Sequence, residues 1–266
     1  MIVITGLFMM MVACKKEIPL AIHIEEHQEA EIIEPDKVLI VTSDYLPYTT
    51  SDQHQPGFLD EIVLEALNRS GIDYEIRYYP WERCREMLRN GEAWASYPYG
   101  FSEENMKDFN FSVPIFSTQH LYYYRENQDI FKDTSRVFKH LKDFKGLTFG
   151  GTNGYWYGDP STIKAMGINV EWAGDTEALV KMLYARRIDF FIEDKYVAEN
   201  IIQRLYKDEQ EVFQTLNHSA REHDYYMILS KSYPKTDQLK KSFNEAYKSI
   251  FYDGAYQRIM ENYSGF

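Results

Sequence analysis

Short apolar runs alternate with stretches in which apolar residues return every three or four positions, and this alternation occurs twice along the chain. The first copy predicts a strand from Val38 to Ser43 and a helix with Leu59, Ile62, Val63, Ala66 and Leu67 on one face. Gly71 then leads to a strand from Tyr74 to Tyr79, and a helix carrying Cys84, Met87 and Leu88 runs through Asn90-Gly91 to a strand from Ala93 to Tyr99. The second copy begins at Leu147-Thr-Phe-Gly-Gly and passes a short helix ending near Gly167. It continues through a strand from Asn169 to Ala173, a helix with Leu179, Met182 and Leu183, and a strand from Asp189 to Glu193. Strands that alternate with helices form largely parallel sheets covered by helices, so the chain is read as α/β with two lobes and a cleft between them. Clefts between domains are where small ligands bind.

Composition narrows the partners. With 22 Tyr, 16 Phe and 4 Trp the chain is rich in rings, which pack on one side and offer a polar tip to a ligand on the other. A net charge of -12 excludes a nucleic-acid surface, which needs clustered Lys and Arg. Residues Ile2 to Ala13 are almost wholly apolar but too short for a permanent membrane span, and they end in Met11-Val12-Ala13-Cys14. That run resembles a bacterial lipoprotein signal, which implies acylation of Cys14 and an extracytoplasmic protein held on a membrane with Lys15 and Lys16 beside the head groups. Residues 15–36 are rich in Glu without a sustained period and read as a tether. His23-Ile-Glu-Glu-His27 within the tether matches a zinc-peptidase pattern, but no apolar helix presents it, so no metal site is assigned there. Cys84 remains as a lone thiol on an apolar helix face, the setting of a buried cysteine.

Pro80-Trp81-Glu82-Arg83 followed by Met87-Leu-Arg-Asn-Gly91, then Asn110-Phe-Ser-Val-Pro-Ile115, then Asp253-Gly-Ala-Tyr-Gln-Arg-Ile259 resembles the bacterial extracellular solute-binding proteins of family 3. The resemblance runs from about residue 38 to the end. It implies a periplasmic-binding-protein type II fold, with lobe 1 at 38–120 plus 230–266, lobe 2 at 127–223, and hinge strands at 121–125 and 225–229. It also implies a monomeric receptor of the periplasm or cell surface that delivers a solute to an ABC permease.

The family's ligand residues carry over one position at a time. Counting back from Phe111-Ser112, Ser102 falls on the family's Thr and Asn105 on the Arg that clamps a ligand carboxylate. The hydroxyl is kept and the cation is lost, which removes the charge-assisted fork and puts an amino-acid ligand in question. Thr152-Asn153-Gly154 matches the family's loop in lobe 2, and Asp194 falls where the family places the carboxylate for the ligand's amine. Arg83, in the first turn of its helix, opposes the helix dipole. It either holds an anion in the cleft or pairs with Glu82 or Glu86 at the surface. Trp81 either walls the cleft or staples its helix to the sheet. Tyr97, Tyr99 and Phe101 at the end of one strand, and Tyr155, Trp156 and Tyr157 after the lobe 2 glycines, mark the two rims, with Tyr45 in the same position after the first strand. Rings facing one cleft suit a sugar, an aromatic compound or a quaternary amine, the last by cation-π attraction.

The chain contains no G-x-S-x-G elbow and no Walker loop, and its seven His have no metal-ligand spacing outside the tether. His223-Asp224 and Glu193-Asp194 are the available acid-base pairs, with His223 read as a hinge hydrogen-bond partner. The expected function is therefore non-catalytic capture of a small polar or amine-containing solute by lobe closure, with no cofactor and no metal. The alternatives are a sensory receptor acting through a protein partner and a dehydratase-like enzyme on the same fold.

Overall fold

The computed structural model describes residues 37–132, 137–152 and 156–263. Cys14, the tether with His23 and His27, and Asn153, Gly154 and Tyr155 lie outside the described residues.

The first alternating copy gives β1 (Val38–Thr42), α1 (Phe58–Ser70), β2 (Tyr74–Tyr78), α2 (Trp81–Arg89) and β3 (Ala95–Gly100). Strand β1 runs parallel to both β2 and β3, giving the local order β2-β1-β3. The expected face of α1 is fully buried at Leu59, Ile62, Val63, Ala66 and Leu67, and the helix stops at Gly71, whose φ of 70° is the left-handed cap that glycine supplies without strain. Cys84, Met87 and Leu88 of α2 are buried against the opposite face of the same strands. The Cys84 thiol donates to the Thr42 carbonyl, and burial pushes its pKa up to about 11, which makes it an inert packing group.

Next come α3 (Glu103–Asp108), β4 (Phe109–Phe111), β5 (Phe116–Arg125) and α4 (Asp129–Lys132). The second copy then gives β6 (Thr148–Thr152), α5 (Pro160–Ala165), β7 (Asn169–Ala173), α6 (Thr176–Tyr184) and β8 (Phe190–Asp194). Its strands repeat the first arrangement, since β6 is parallel to both β7 and β8. The chain continues through α7 (Lys195–Leu205), β9 (Phe213–Ser230), α8 (Thr236–Tyr252) and α9 (Ala255–Asn262). Helices α8 and α9 return to pack on α1.

All strands belong to one sheet ordered β2-β1-β3-β9-β5-β8-β6-β7, with β4 also on β9. Strand β9 pairs with β3 from Tyr225 to Leu229, and β5 pairs with β8 from His120 to Tyr124. Between those two pairings, Phe116 to Gln119 and Glu222 to Tyr225 bond to each other as an antiparallel ribbon that joins the halves. The segments 121–125 and 225–229 flank this ribbon, each paired within one half. The long β9 escapes a hydrophobic-pattern reading because its first part, Gln214 to Glu222, is mostly polar and partly exposed, with no apolar alternation to mark it. Among the described residues no helix is long and apolar enough to cross a membrane.

The loop between β1 and α1 is fixed by close backbone contact. A Cβ on Gly57 would lie 2.2 Å from the Tyr48 carbonyl oxygen, with the Tyr48-Thr49 backbone filling the space. Backbone cannot yield as a flexible side chain can, so Gly57→Ala must displace the segment that carries Tyr48. We expect this variant to lose about 1–3 kcal/mol in urea unfolding. Gly174→Ala serves as the control, because an added Cβ there meets nothing within 4 Å and the substitution should leave stability unchanged within about 0.5 kcal/mol.

Candidate functional site

Asp194 ends β8 and caps α7, so its side chain is directed by the sheet and held by the helix. Its Oδ1 accepts from the Tyr196 and Val197 backbone N–H groups at 3.0 and 3.2 Å. The same oxygen accepts from the Tyr48 hydroxyl at 2.7 Å, and Oδ2 accepts from the Thr118 hydroxyl at 2.9 Å. One fully buried carboxylate thus joins a loop of the first half, the connecting ribbon and a helix of the second half. All four donors are neutral. Burial raises the Asp194 pKa, and the hydrogen bonds from Tyr48 and Thr118 oppose that rise. Tyr48 is itself locked by rings, stacked on Tyr45 at 5.2 Å and tilted or edge-on to Phe58, Tyr225 and Phe116 at 4.9 to 5.8 Å.

Thr118 faces the same side of the ribbon as His223, its register partner, and as His120 two residues on. The two imidazole rings lie 4.8 Å apart, and the buried Nδ1 of each has no hydrogen-bond partner among the described residues. Burial lowers the pKa of His120 to about 3 and that of His223 to about 4, with Arg221 adding to both shifts. Donor atoms of His120, Asp194 and His223 all lie within 4.8 Å of one another. Above them, Trp156 sets its edge toward His120 at 5.6 Å and its face against the Arg221 guanidinium at 5.3 Å. Thr152 is close to this wall, since its backbone N–H donates to the hydroxyl of Tyr157, a ring in edge contact with Trp156.

The first half contributes a second group. Trp81 packs edge-on to Tyr99 at 5.3 Å and to Tyr45 at 6.5 Å, and it lines a cavity of about 650 Å³ with Ser43, Asp44, Tyr78 and Tyr79. Tyr97 is elsewhere: its ring is fully buried in the core and its hydroxyl donates to Asp60 at 2.8 Å. Plain alternation along β3 would turn Tyr97 and Tyr99 the same way, yet Tyr97 packs in the core on one face of the sheet and Tyr99 against the Cys84 cluster on the other. The register shift against β9 between Ser96 and Tyr99 then separates their surroundings. Ser102 caps α3 by accepting from the Asn105 N–H. Asn105 is buried, accepting from Arg85 at 2.8 Å and donating to the Gly100 carbonyl. Arg83 is exposed and paired with Glu86 and Glu92, which answers its unfavourable place at the helix start with two surface carboxylates. Phe101 is also exposed and leans on Phe111.

The model of the bacterial extracellular solute-binding proteins, family 3, matches residues 38–266. The chain belongs to this family. No curated protein sequence matches the chain. Among solved structures it is similar to YckB of Bacillus subtilis, with a TM-score of 0.68 at 20% identity, covering 85% of this chain and 89% of that one. The second substrate-binding domain of a putative amino acid ABC transporter from Streptococcus pneumoniae gives a TM-score of 0.64 at 17% identity, covering 85% and 99%. A histidine kinase sensor domain with similarity to periplasmic binding proteins gives 0.64 at 16%, covering 85% and 95%. These identities establish the fold, which is that of the type II periplasmic binding proteins.

Within the family-3 fold, Tyr45, Trp81 and Tyr99 are brought together on the first half, and Thr152, Trp156 and Asp194 gather near the ribbon on the second. Sequence reasoning missed Arg85, which reaches the Asn105 position from another helix, and it missed Thr118 and His120. A signal for the last two was present, since Phe116, Thr118, His120 and Tyr122 share one face at a period of two.

Asp60, the partner of Tyr97, gives a test of how that core site is built. Burial raises its pKa from 3.8 to about 6, against the lowering effect of the Thr50 N–H and the Tyr97 hydroxyl. A carboxyl with a raised folded-state pKa holds a proton that the unfolded chain has released. Its contribution is thus favourable below about pH 4 and is lost as pH rises through about 6, a change of about 3 kcal/mol. Urea unfolding of the wild type and Asp60→Asn across this range should show the wild type losing about that much relative to the variant. A difference independent of pH would contradict the assignment.

Proposed function

We propose that the protein is an extracytoplasmic receptor that captures a small amine-bearing solute between two lobes and passes it to an ABC importer. The observation that carries this reading is the Asp194 carboxylate, buried where the halves meet and served only by neutral donors. A cationic amine would replace the Tyr48 hydroxyl with a charge-assisted hydrogen bond, roughly twice as strong as a neutral one. The lobes in this reading are 38–120 with 230–266, and 127–223, turning about the two-stranded ribbon between them. Thr152 and the loop at 153–154 would complete the hydrogen bonds from the second lobe. Tyr45, Trp81, Tyr99 and Trp156 would supply ring faces to a cation or to its apolar body.

The Asn105 carboxamide is engaged by Arg85 and Gly100, and no Arg replaces the clamp at that position in the chain. This favours polyamines, quaternary amines and other cations over simple α-amino acids. The reading is non-catalytic, with a monomer tethered to a membrane through acylated Cys14. A sensory role is the second reading, supported by the likeness to a histidine kinase sensor domain, and it shares the same closure and the same carboxylate.

A thermal-shift screen of the full chain in EDTA, against amino acids, short peptides, sugars, polyamines and quaternary amines, tests the proposal. A ligand at 100 times its Kd adds about 2.7 kcal/mol and a shift of several degrees. Asp194→Ala, and Asp194→Asn, which keeps a cap acceptor without the charge, should both abolish the shift for the hit compound. Binding unchanged in Asp194→Asn would overturn the site assignment.

A further inference from the structure

The ribbon that joins the halves carries more chemistry than solute capture uses. His120 lies on one of its strands and His223 on the other, and Asp194 stands at the adjoining end of β8. Sequence spacing conceals the three, because they come from separate strands and meet only through the pairing of β5 with β8 and β9. A buried imidazole nitrogen without a partner costs free energy unless something outside the described structure satisfies it. His120 is more than nine-tenths buried, and the Nδ1 atoms of both His120 and His223 are in that condition.

The geometry points to a divalent transition-metal site formed by His120, His223 and Asp194. Two imidazoles and one carboxylate select zinc, nickel or copper over magnesium or calcium, which prefer all-oxygen shells. Donor atoms around a tetrahedral zinc ion stand about 3.4 Å apart, given bonds of about 2.1 Å. The present group, all within 4.8 Å, would draw in toward that spacing on binding an ion. The Asp194 Oδ2 accepts only from Thr118, so it retains acceptor capacity toward the rings. Arg221 is drawn against the Trp156 face, an alternative partner for its charge beside the site. Three protein ligands leave a coordination position for water or for a donor atom of a solute.

Such an ion would tie both strands of the ribbon to the end of β8, and so its binding would stiffen the joint on which lobe closure turns. The site shares Asp194 with the proposed solute site, but it does not depend on any solute binding. It also differs from the His23 and His27 pair in the tether, which must be silenced in any test.

The experiment is a zinc titration of the full untagged chain carrying His23→Ala and His27→Ala, by calorimetry and by competition with a chromophoric chelator. One Zn²⁺ per chain is expected, with a Kd of about 10 µM or tighter, equivalent to about -7 kcal/mol. Adding His120→Gln or His223→Gln should weaken binding by at least about tenfold. Cobalt substitution should give a visible d–d band that either variant diminishes. Unfolding midpoints measured in EDTA identify a variant that has failed to fold, in which case the other histidine variant and the cobalt spectrum of the parent decide. Absence of zinc binding at about 1 mM, or binding unchanged in both histidine variants, would overturn the site. Either result leaves the solute reading untouched, since that reading is tested in EDTA through Asp194.

Discussion

The arrangement of this protein depends on one buried carboxylate. Asp194 draws hydrogen bonds from Tyr48, from Thr118 and from the first turn of α7, so three separately folded pieces of chain share one pair of oxygens. A negative charge with only neutral donors around it is costly to bury, and the raised Asp194 pKa records that cost. The same condition makes the group receptive to a cation. A solute amine or a metal ion would supply the countercharge that these neutral donors lack, and each would compete with Tyr48 and Thr118 for the same lone pairs.

The surrounding rings make this economical in conformational terms. Tyr48 is positioned by Tyr45, Phe58, Phe116 and Tyr225, and its loop is held against Gly57 with no room for a side chain. Its hydroxyl is therefore presented to Asp194 with few rotamers to lose. Tyr196 and Val197, the residues whose N–H groups cap onto Asp194, also pack into the core of the first half. Rearranging the carboxylate's partners would thus disturb a contact between the halves, which is the coupling that the proposed receptor function requires.

Much of the fold was legible because it rests on periodicity. The two copies, their parallel pairing and the buried faces of α1, α2 and α6 follow from apolar spacing, and each appears where the pattern places it. The ribbon was less legible. Ser117, Gln119, Glu222 and Asp224 line one face and Thr118 and His223 stand among rings on the other, so the strands show a period of two but little hydrophobic contrast. Individual site residues were the least legible, because their roles depend on side-chain partners distant in sequence. Tyr97 and Tyr99 look alike in the chain, yet one is closed into the core by Asp60 and the other faces Trp81. Asn105 could be flagged as a missing cation from its position alone. That Arg85 would approach it from α2 could not.

Tyr48 and Asp194 act as one unit across the two halves. A double-mutant cycle with Tyr48→Phe, Asp194→Ala and the combined variant, read by urea unfolding at neutral pH, measures this directly. A coupling of about 1 kcal/mol or more is expected, since Tyr48→Phe and Asp194→Ala each remove the same buried hydrogen bond. Strictly additive losses, within about 0.3–0.5 kcal/mol, would contradict it and leave Asp194 as a helix cap with no role in joining the halves.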